Sequence, residues 1–239
     1  MRFLLPIMVA AAVLLGPSTS LGATDYSQLV DPPHARVFLI PGKRLQQVGC
    51  AGLALHLRQT DPAFDNDTAS RLVEGVARRL TVDLGDKDVA AWYIEGQARH
   101  HSAFTREAKT KAAGVDVLKG QCRSLFEQAK KGDAELATVL GPIPSEPLKL
   151  PDPGICLAYV SYAAEGDGVD GAKDMKVLLH EAWIDQAAGP EQAKRKADLM
   201  TAISMLRSLA PDSDYLNRMA FACAPALNGV TKNSEATSR

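Results

Sequence analysis

Residues 141–154 read GPIPSEPLKLPDPG, and this stretch divides the chain. Its prolines stand at 142, 144, 147, 151 and 153. Each lacks a backbone N–H and has a fixed φ, so the segment is barred from helix interiors and sheet ladders and reads as an extended linker. Two cysteines precede it, Cys50 and Cys122, and two follow it, Cys156 and Cys223.

Outward from the linker, the two sides share a pattern. Cys50, Leu53, Ala54 and Leu57 fall at the i, i+3, i+4, i+7 spacing of one helical face, and Cys156, Tyr159, Val160 and Ala163 repeat it. Val115, Leu118, Cys122, Leu125 and Phe126 align at a constant offset with Leu216, Met219, Cys223, Ala226 and Leu227. Each half therefore opens and closes on a cysteine within an apolar helical face, as a duplicated unit would. Between the cysteines the period stays helical. Ala69, Leu72, Val73, Val76 and Leu80 form one stripe, and Met175, Leu178, Leu179, Ala182 and Trp183 its counterpart. A third helix per unit is predicted over 88–104 and 191–209, with Pro190 in the first turn of the latter, where its missing N–H costs nothing.

The expected fold is all-α: two tandem disulfide-stapled helical bundles of about four helices each. The boundaries are a signal peptide at 1–23, an irregular N-terminal segment at 24–48, unit 1 at 49–140, the proline-rich linker at 141–154, unit 2 at 155–228 and a disordered tail at 229–239. Val37-Phe38-Leu39-Ile40 is the one strand-like stretch. Gly75, Gly96, Gly114 and Gly120 each weaken a helix by up to about 1 kcal/mol.

The compartment follows from the N-terminus and the cysteines. Arg2, the apolar run over 3–15 and the small residues of Ser20-Leu21-Gly22-Ala23 read as an export signal. The run is too short for a membrane anchor. Thr24 stands where a lipidated cysteine would be needed. An even cysteine count in an exported chain argues for disulfides, which places the protein in a bacterial periplasm or outside the cell. Four cysteines permit three pairings. The duplication favours Cys50–Cys122 and Cys156–Cys223, with bridges between the halves as the alternative. Closing loops of roughly 70 residues would contribute on the order of 4 kcal/mol each.

With 27 Lys+Arg against 28 Asp+Glu, the formal charge of -1 leaves no electrostatic footprint for nucleic acid. Motifs that carry chemistry fail one by one. Gly166-Asp167-Gly168-Val169-Asp170-Gly171 spells GxGxxG, but Glu165, Asp167 and Asp170 would repel a phosphate, so a helix–helix turn is expected. The acidic loops of Asp61, Asp65 and Asp67, and of Glu165, Asp167, Asp170 and Asp174, lack calcium-loop spacing. Asp67 and Asp170 read as helix caps. His180-Glu181 begins a zinc-protease motif whose second ligand position is Ile184. His100 and His101 point about 100° apart on a helix, and with His56 and His180 they read as surface or satisfied core residues. Glu74, Glu95 and Glu181 offer carboxylates without a pairing that spacing identifies. Trp92, Tyr93 and Trp183 read as core. No cofactor and no metal site is expected.

The first unit, from Gly49-Cys50-Ala51 to Gln121-Cys122-Arg123-Ser124-Leu125-Phe126, resembles small exported immunity proteins that protect bacteria against type VI secretion amidases. Those are short all-helical proteins with one cysteine in the first helix and one near the last. The resemblance covers that frame and implies a non-catalytic inhibitor. The tandem arrangement departs from the usual single unit, and no inhibitory loop carries over.

The leading expectation is a non-catalytic binding protein that engages a protein partner in the envelope through helical surfaces. A small-ligand carrier would instead need a cavity lined by residues such as Trp92, Tyr93, Trp183 and Met200. An envelope hydrolase would need a Glu of raised pKa facing a second carboxylate.

Overall fold

The computed structural model describes residues 31–107, 111–166 and 171–227. The signal-like segment, most of the GxGxxG stretch including Asp167 and Asp170, and the 229–239 tail lie outside the described residues. Within them all regular structure is helical: α1 (Pro32–Val37), α2 (Gly42–Thr60), α3 (Asn66–Leu84), α4 (Lys87–Glu107), α5 (Lys111–Lys131), α6 (Asp133–Leu140), α7 (Pro153–Ala163), α8 (Ala172–His180), α9 (Gly189–Leu209) and α10 (Ser213–Cys223). A π-helical turn, Glu181–Asp185, extends α8, and a 3-10 turn, Ala224–Leu227, follows α10, where Pro225 has no N–H to continue the helix.

Aspartates start five of these helices by accepting the unpaired amides of the first turn. Asp31, Asp65, Asp86, Asp152 and Asp212 accept from the backbone of His34, Thr68, Val89, Ile155 and Tyr215 in turn. The cap of α3 is therefore Asp65, and Asp67, read above as the cap, sits in the first turn behind it.

The buried apolar side chains separate on either side of the linker. The larger cluster runs from Ile40 to Leu140 and holds Cys50, Leu53, Leu57, Leu72, Val76, Leu80, Ile94 and Cys122. The other spans Cys156, Leu157, Val160, Met175, Leu179, Ile184, Leu216 and Cys223, with a small satellite of Ala158, Ile203 and Leu206 beneath α9. Cys50 is bridged to Cys122 and Cys156 to Cys223, with Cα atoms 5.5 Å apart in each pair.

Three sequence expectations need correction. The 24–48 segment is not irregular where it is described: α1 forms within it and α2 begins at Gly42. Asp31 and the Pro32-Pro33 pair start α1 as an aspartate cap and helix-compatible prolines do. Val37 to Ile40 is consequently a helix end and a turn, with Ile40 buried in the larger cluster. Nor does the linker reach Gly154, because Asp152 caps α7 and Pro153 is its first residue.

The linker is also fastened down. Arg79 donates from Nε and Nη2 to the Gly141 carbonyl at 2.8 and 2.6 Å. The Leu148 amide donates to the Asp83 carbonyl at 2.8 Å, and Arg36 donates to Leu148 O and Leu84 O at 2.9 Å each. Behind this strap Arg44 reaches Asp83 Oδ2 at 2.9 Å and Gln47 Oε1 at 2.6 Å. The prolines that keep 141–152 out of a helix leave its carbonyls open, and arginines answer them.

Candidate functional site

Helix α1 packs against both α3 and α10, so it lies where the two buried clusters meet. His34 and Phe38 stand one turn apart, which puts both rings on one side of this short helix. The His34 ring meets the edge of Trp92 from α4 with centroids 5.4 Å apart, and Trp92 stacks toward its neighbour Tyr93 at 6.3 Å. Phe38 stacks on Phe221 of α10 at 5.0 Å, with the planes 18° apart. One turn before Phe221, the Arg218 guanidinium lies 5.9 Å over the Tyr215 ring, and the Tyr215 hydroxyl is 3.2 Å from that of Tyr159 on α7. These groups form one aromatic seam from α4 across α1 and α10 to α7.

Much of the seam is open to solvent. Trp92 is 50% exposed, Phe221 39% and Tyr215 37%. Tyr93 is the inward member: burial pushes its hydroxyl pKa up, while the nearby Arg218 charge pulls it down. Burial, with the hydrogen bond to Tyr215, pushes the Tyr159 hydroxyl up to about 12. The Arg218 Nε is buried and faces Asp214 Oδ2 at 3.5 Å, an ion pair without a hydrogen bond, while the side chain as a whole is partly exposed.

Sequence reading took Trp92 as core, and the structure corrects this. The inward positions of α4 are Ala90, Ile94, Ala98 and His101, and residue 92 falls on the opposite side of that stripe. Sequence reading gives His34, Tyr215, Arg218 and Phe221 no role, and Phe38 only a place in the strand-like stretch. Their signal is faint: one i, i+4 aromatic pair, then an aromatic and a cation at i, i+3.

The other candidate residues are scattered. Trp183 packs against Gly154, where an added Cβ would collide with its ring, and Arg195 covers it at 5.4 Å. Met200 projects from α9 into solvent. Trp92, Tyr93, Trp183 and Met200 therefore line no common cavity among the described residues. Two shallow depressions lie elsewhere. One, of about 410 Å³, is formed by Glu74, Ala77, Arg78, Thr81 and Ile143. The other, of about 370 Å³, lies by Tyr162, Glu165, Pro211 and Leu216.

Glu74 and Glu95 make exposed helical ion pairs with Arg78 and Arg99. The carboxyl that burial pushes upward is Asp83, and it faces Arg44. Asp61 bonds Lys119 at 2.9 Å, and His180 bonds Asp185 at 3.0 Å. His56 and His101 are buried in the α2–α4 interface. His56 Nδ1 meets Ser102 Oγ at 2.9 Å, and His101 Nε2 donates to Gly49 O at 3.1 Å. Among the described residues no group of three or more His, Cys, Asp or Glu is placed to hold a metal ion.

No helix of the described residues is long and apolar enough to cross a membrane. In comparison with known proteins, no family model, no curated protein and no solved structure matches this chain.

Proposed function

We propose that this is an exported, non-catalytic binding protein that captures a protein partner in the bacterial envelope, with the aromatic seam as its docking surface. The observation that carries this reading is the exposure of Trp92, Tyr215 and Phe221 beside Arg218. Trp, Tyr and Arg dominate the energetics of protein interfaces, because large rigid side chains bury much area at low entropic cost. Helices α1, α4 and α10 hold these rings against one another before a partner arrives, which lowers the ordering cost of binding. An oxidising compartment accords with both cystines and with the apolar N-terminal segment. An inhibitor of an envelope enzyme, like the immunity proteins that the first unit resembles, is the specific form of this role.

The test is photo-crosslinking in the native envelope from an unnatural residue at position 92 or 221. One partner captured at stoichiometric yield is expected. Capture should fall at least about tenfold in Trp92→Ala and Phe221→Ala, given the usual weight of aromatic anchors. Absence of any stoichiometric partner, or cleavage of peptidoglycan by the purified protein, would defeat the reading.

A further inference from the structure

Helix α1 is fastened to the first half of the chain. Arg36 donates to the Leu84 and Leu148 carbonyls, the His34 ring meets Trp92, Val37 packs on the larger buried cluster and Ile40 is part of it. The strap is fastened there too, since Arg79 holds Gly141 and the Asp83 carbonyl holds Leu148. This pinning ends at Leu148, and α7 starts from its Asp152 cap. Lys149, Leu150 and Pro151 are what remains between the two. Contacts across that boundary are of a different kind. The Phe38 ring, at the end of α1, stacks on the half-exposed Phe221, and α1 also touches the 3-10 turn after α10. Arg218 lies near enough to Tyr93 for its charge to act on the hydroxyl. Among the described residues, however, no hydrogen bond or ion pair runs from residues 31–148 to residues 152–227. Both cystines lie within one half, and the two larger clusters share no residue. Buried polar bonds are directional and costly to break, whereas a half-exposed ring pair parts at small cost. Domains joined by so slight an interface move relative to one another.

We propose that the molecule is a two-part clamp: residues 149–151 are its hinge, the Phe38–Phe221 stack is its latch, and α1 and the strap travel with the first half. Opening divides the aromatic seam. His34, Phe38, Trp92 and Tyr93 stay on one side, and Tyr215, Arg218 and Phe221 leave with α10. Any ligand that touches both sides favours the closed form, because it makes contacts there that the open form lacks. The clamp goes beyond the docking reading and does not depend on it.

The test places spin labels, carried on unnatural residues of the full chain, at the exposed positions 117 on α5 and 205 on α9. Pulsed electron spin resonance then gives the distance between the halves. Labels at 74 and 117, both in the first half, are the control. Two distances are expected for the 117–205 pair. Phe38→Ala and Phe221→Ala, approaching the latch from either side, should each raise the ratio of the second to the first about fivefold, the weight of one aromatic pair. The 74–117 distance should stay fixed. A Gly-Gly insertion after Lys149 should spread the second distance, whereas the same insertion after Ser145, between two pinned points, should leave it unchanged. One narrow 117–205 distance that persists in both alanine variants would overturn the latch. Equal broadening by the two insertions, or none by either, would overturn the hinge. A change in the 74–117 distance would put the motion inside the first half and overturn both.

Discussion

At the scale of single residues, two glycines of α2 with the same helical environment play opposite parts. A Cβ at Gly52 would overlap Gln97 Cβ and stand 3.0 Å from the Ala98 backbone N, so the absence of a side chain is what lets α2 and α4 approach. Gly49, one turn earlier, has nothing within 4 Å. Gly52→Ala should therefore lower stability by about 1–3 kcal/mol, the usual cost of forcing a methyl into a packed contact. Gly49→Ala should raise it by up to about 1 kcal/mol, because alanine holds a helix better than glycine. Urea midpoints of the two variants check this, and similar shifts of the same sign would show that the α2–α4 contact is not the constraint. The sequence lists both glycines identically. Only the neighbouring helix distinguishes them.

At the scale of elements, the α2–α4 interface carries its polar groups in a neutral state. Ser102 donates to Ala98 O at 3.0 Å, so its oxygen is left to accept from His56 Nδ1, which assigns the proton of His56 to that nitrogen. Burial pushes both His56 and His101 below the ordinary histidine pKa, and for His101 the neighbouring His100 and His56 add to the effect while the Gly49 bond opposes it. The folded form thus binds these protons less readily than the unfolded chain does. The associated stability is fully present above about pH 6.5 and is lost as pH falls from there toward the lowered folded values. The thermal midpoint should drop between pH 7 and pH 5, and the drop should shrink in His56→Gln. An unchanged slope in that variant would remove His56 from the account. Helix α9 shows the limit of reading an element by its pattern. Leu199, Ile203 and Leu206 turn toward α7, yet Met200, Met205 and Leu209 are exposed on the same helix, so its apolar residues alone do not say which face is inside.

For the whole molecule, each of the two larger buried clusters has its own cystine, and each cystine joins the opening cysteine-bearing helix of its half to the closing one. The closed loops are similar in length, with sequence separations of 72 and 67 residues. Chain-entropy reasoning gives each bridge on the order of 4 kcal/mol, by restricting the unfolded chain. Replacing Cys50 and Cys122 together by alanine, or Cys156 and Cys223 together, should each lower unfolding free energy by about that amount. Calorimetry of the two variants would also show whether the halves melt separately. If each half retains its own transition while only the one that lost its bridge shifts downward, the clusters are energetically independent. A single merged transition would mean that α1 and the strap couple them.

The helices around the four cysteines were legible because burial imposes a 3.6-residue period on a linear pattern, and that period survives in the letters. So Cys50, Leu53, Ala54 and Leu57 announced α2, and the break at 141–152 announced itself through prolines that no helix interior accepts. Pairing of the cysteines was one option among three until the folded chain brought Cys50 to Cys122 and Cys156 to Cys223. Helix α1, the arginines that fasten the linker, and the seam of Trp92, Phe38, Phe221 and Arg218 belong to another category. Their partners lie dozens of residues away, and a contact between distant residues leaves no periodic trace in the chain. The sequence alone determined which segments coil and which cannot, since those are local questions of backbone freedom and apolar spacing. Which rings meet, and which linker carbonyls the arginines reach, was decided only when the helices packed.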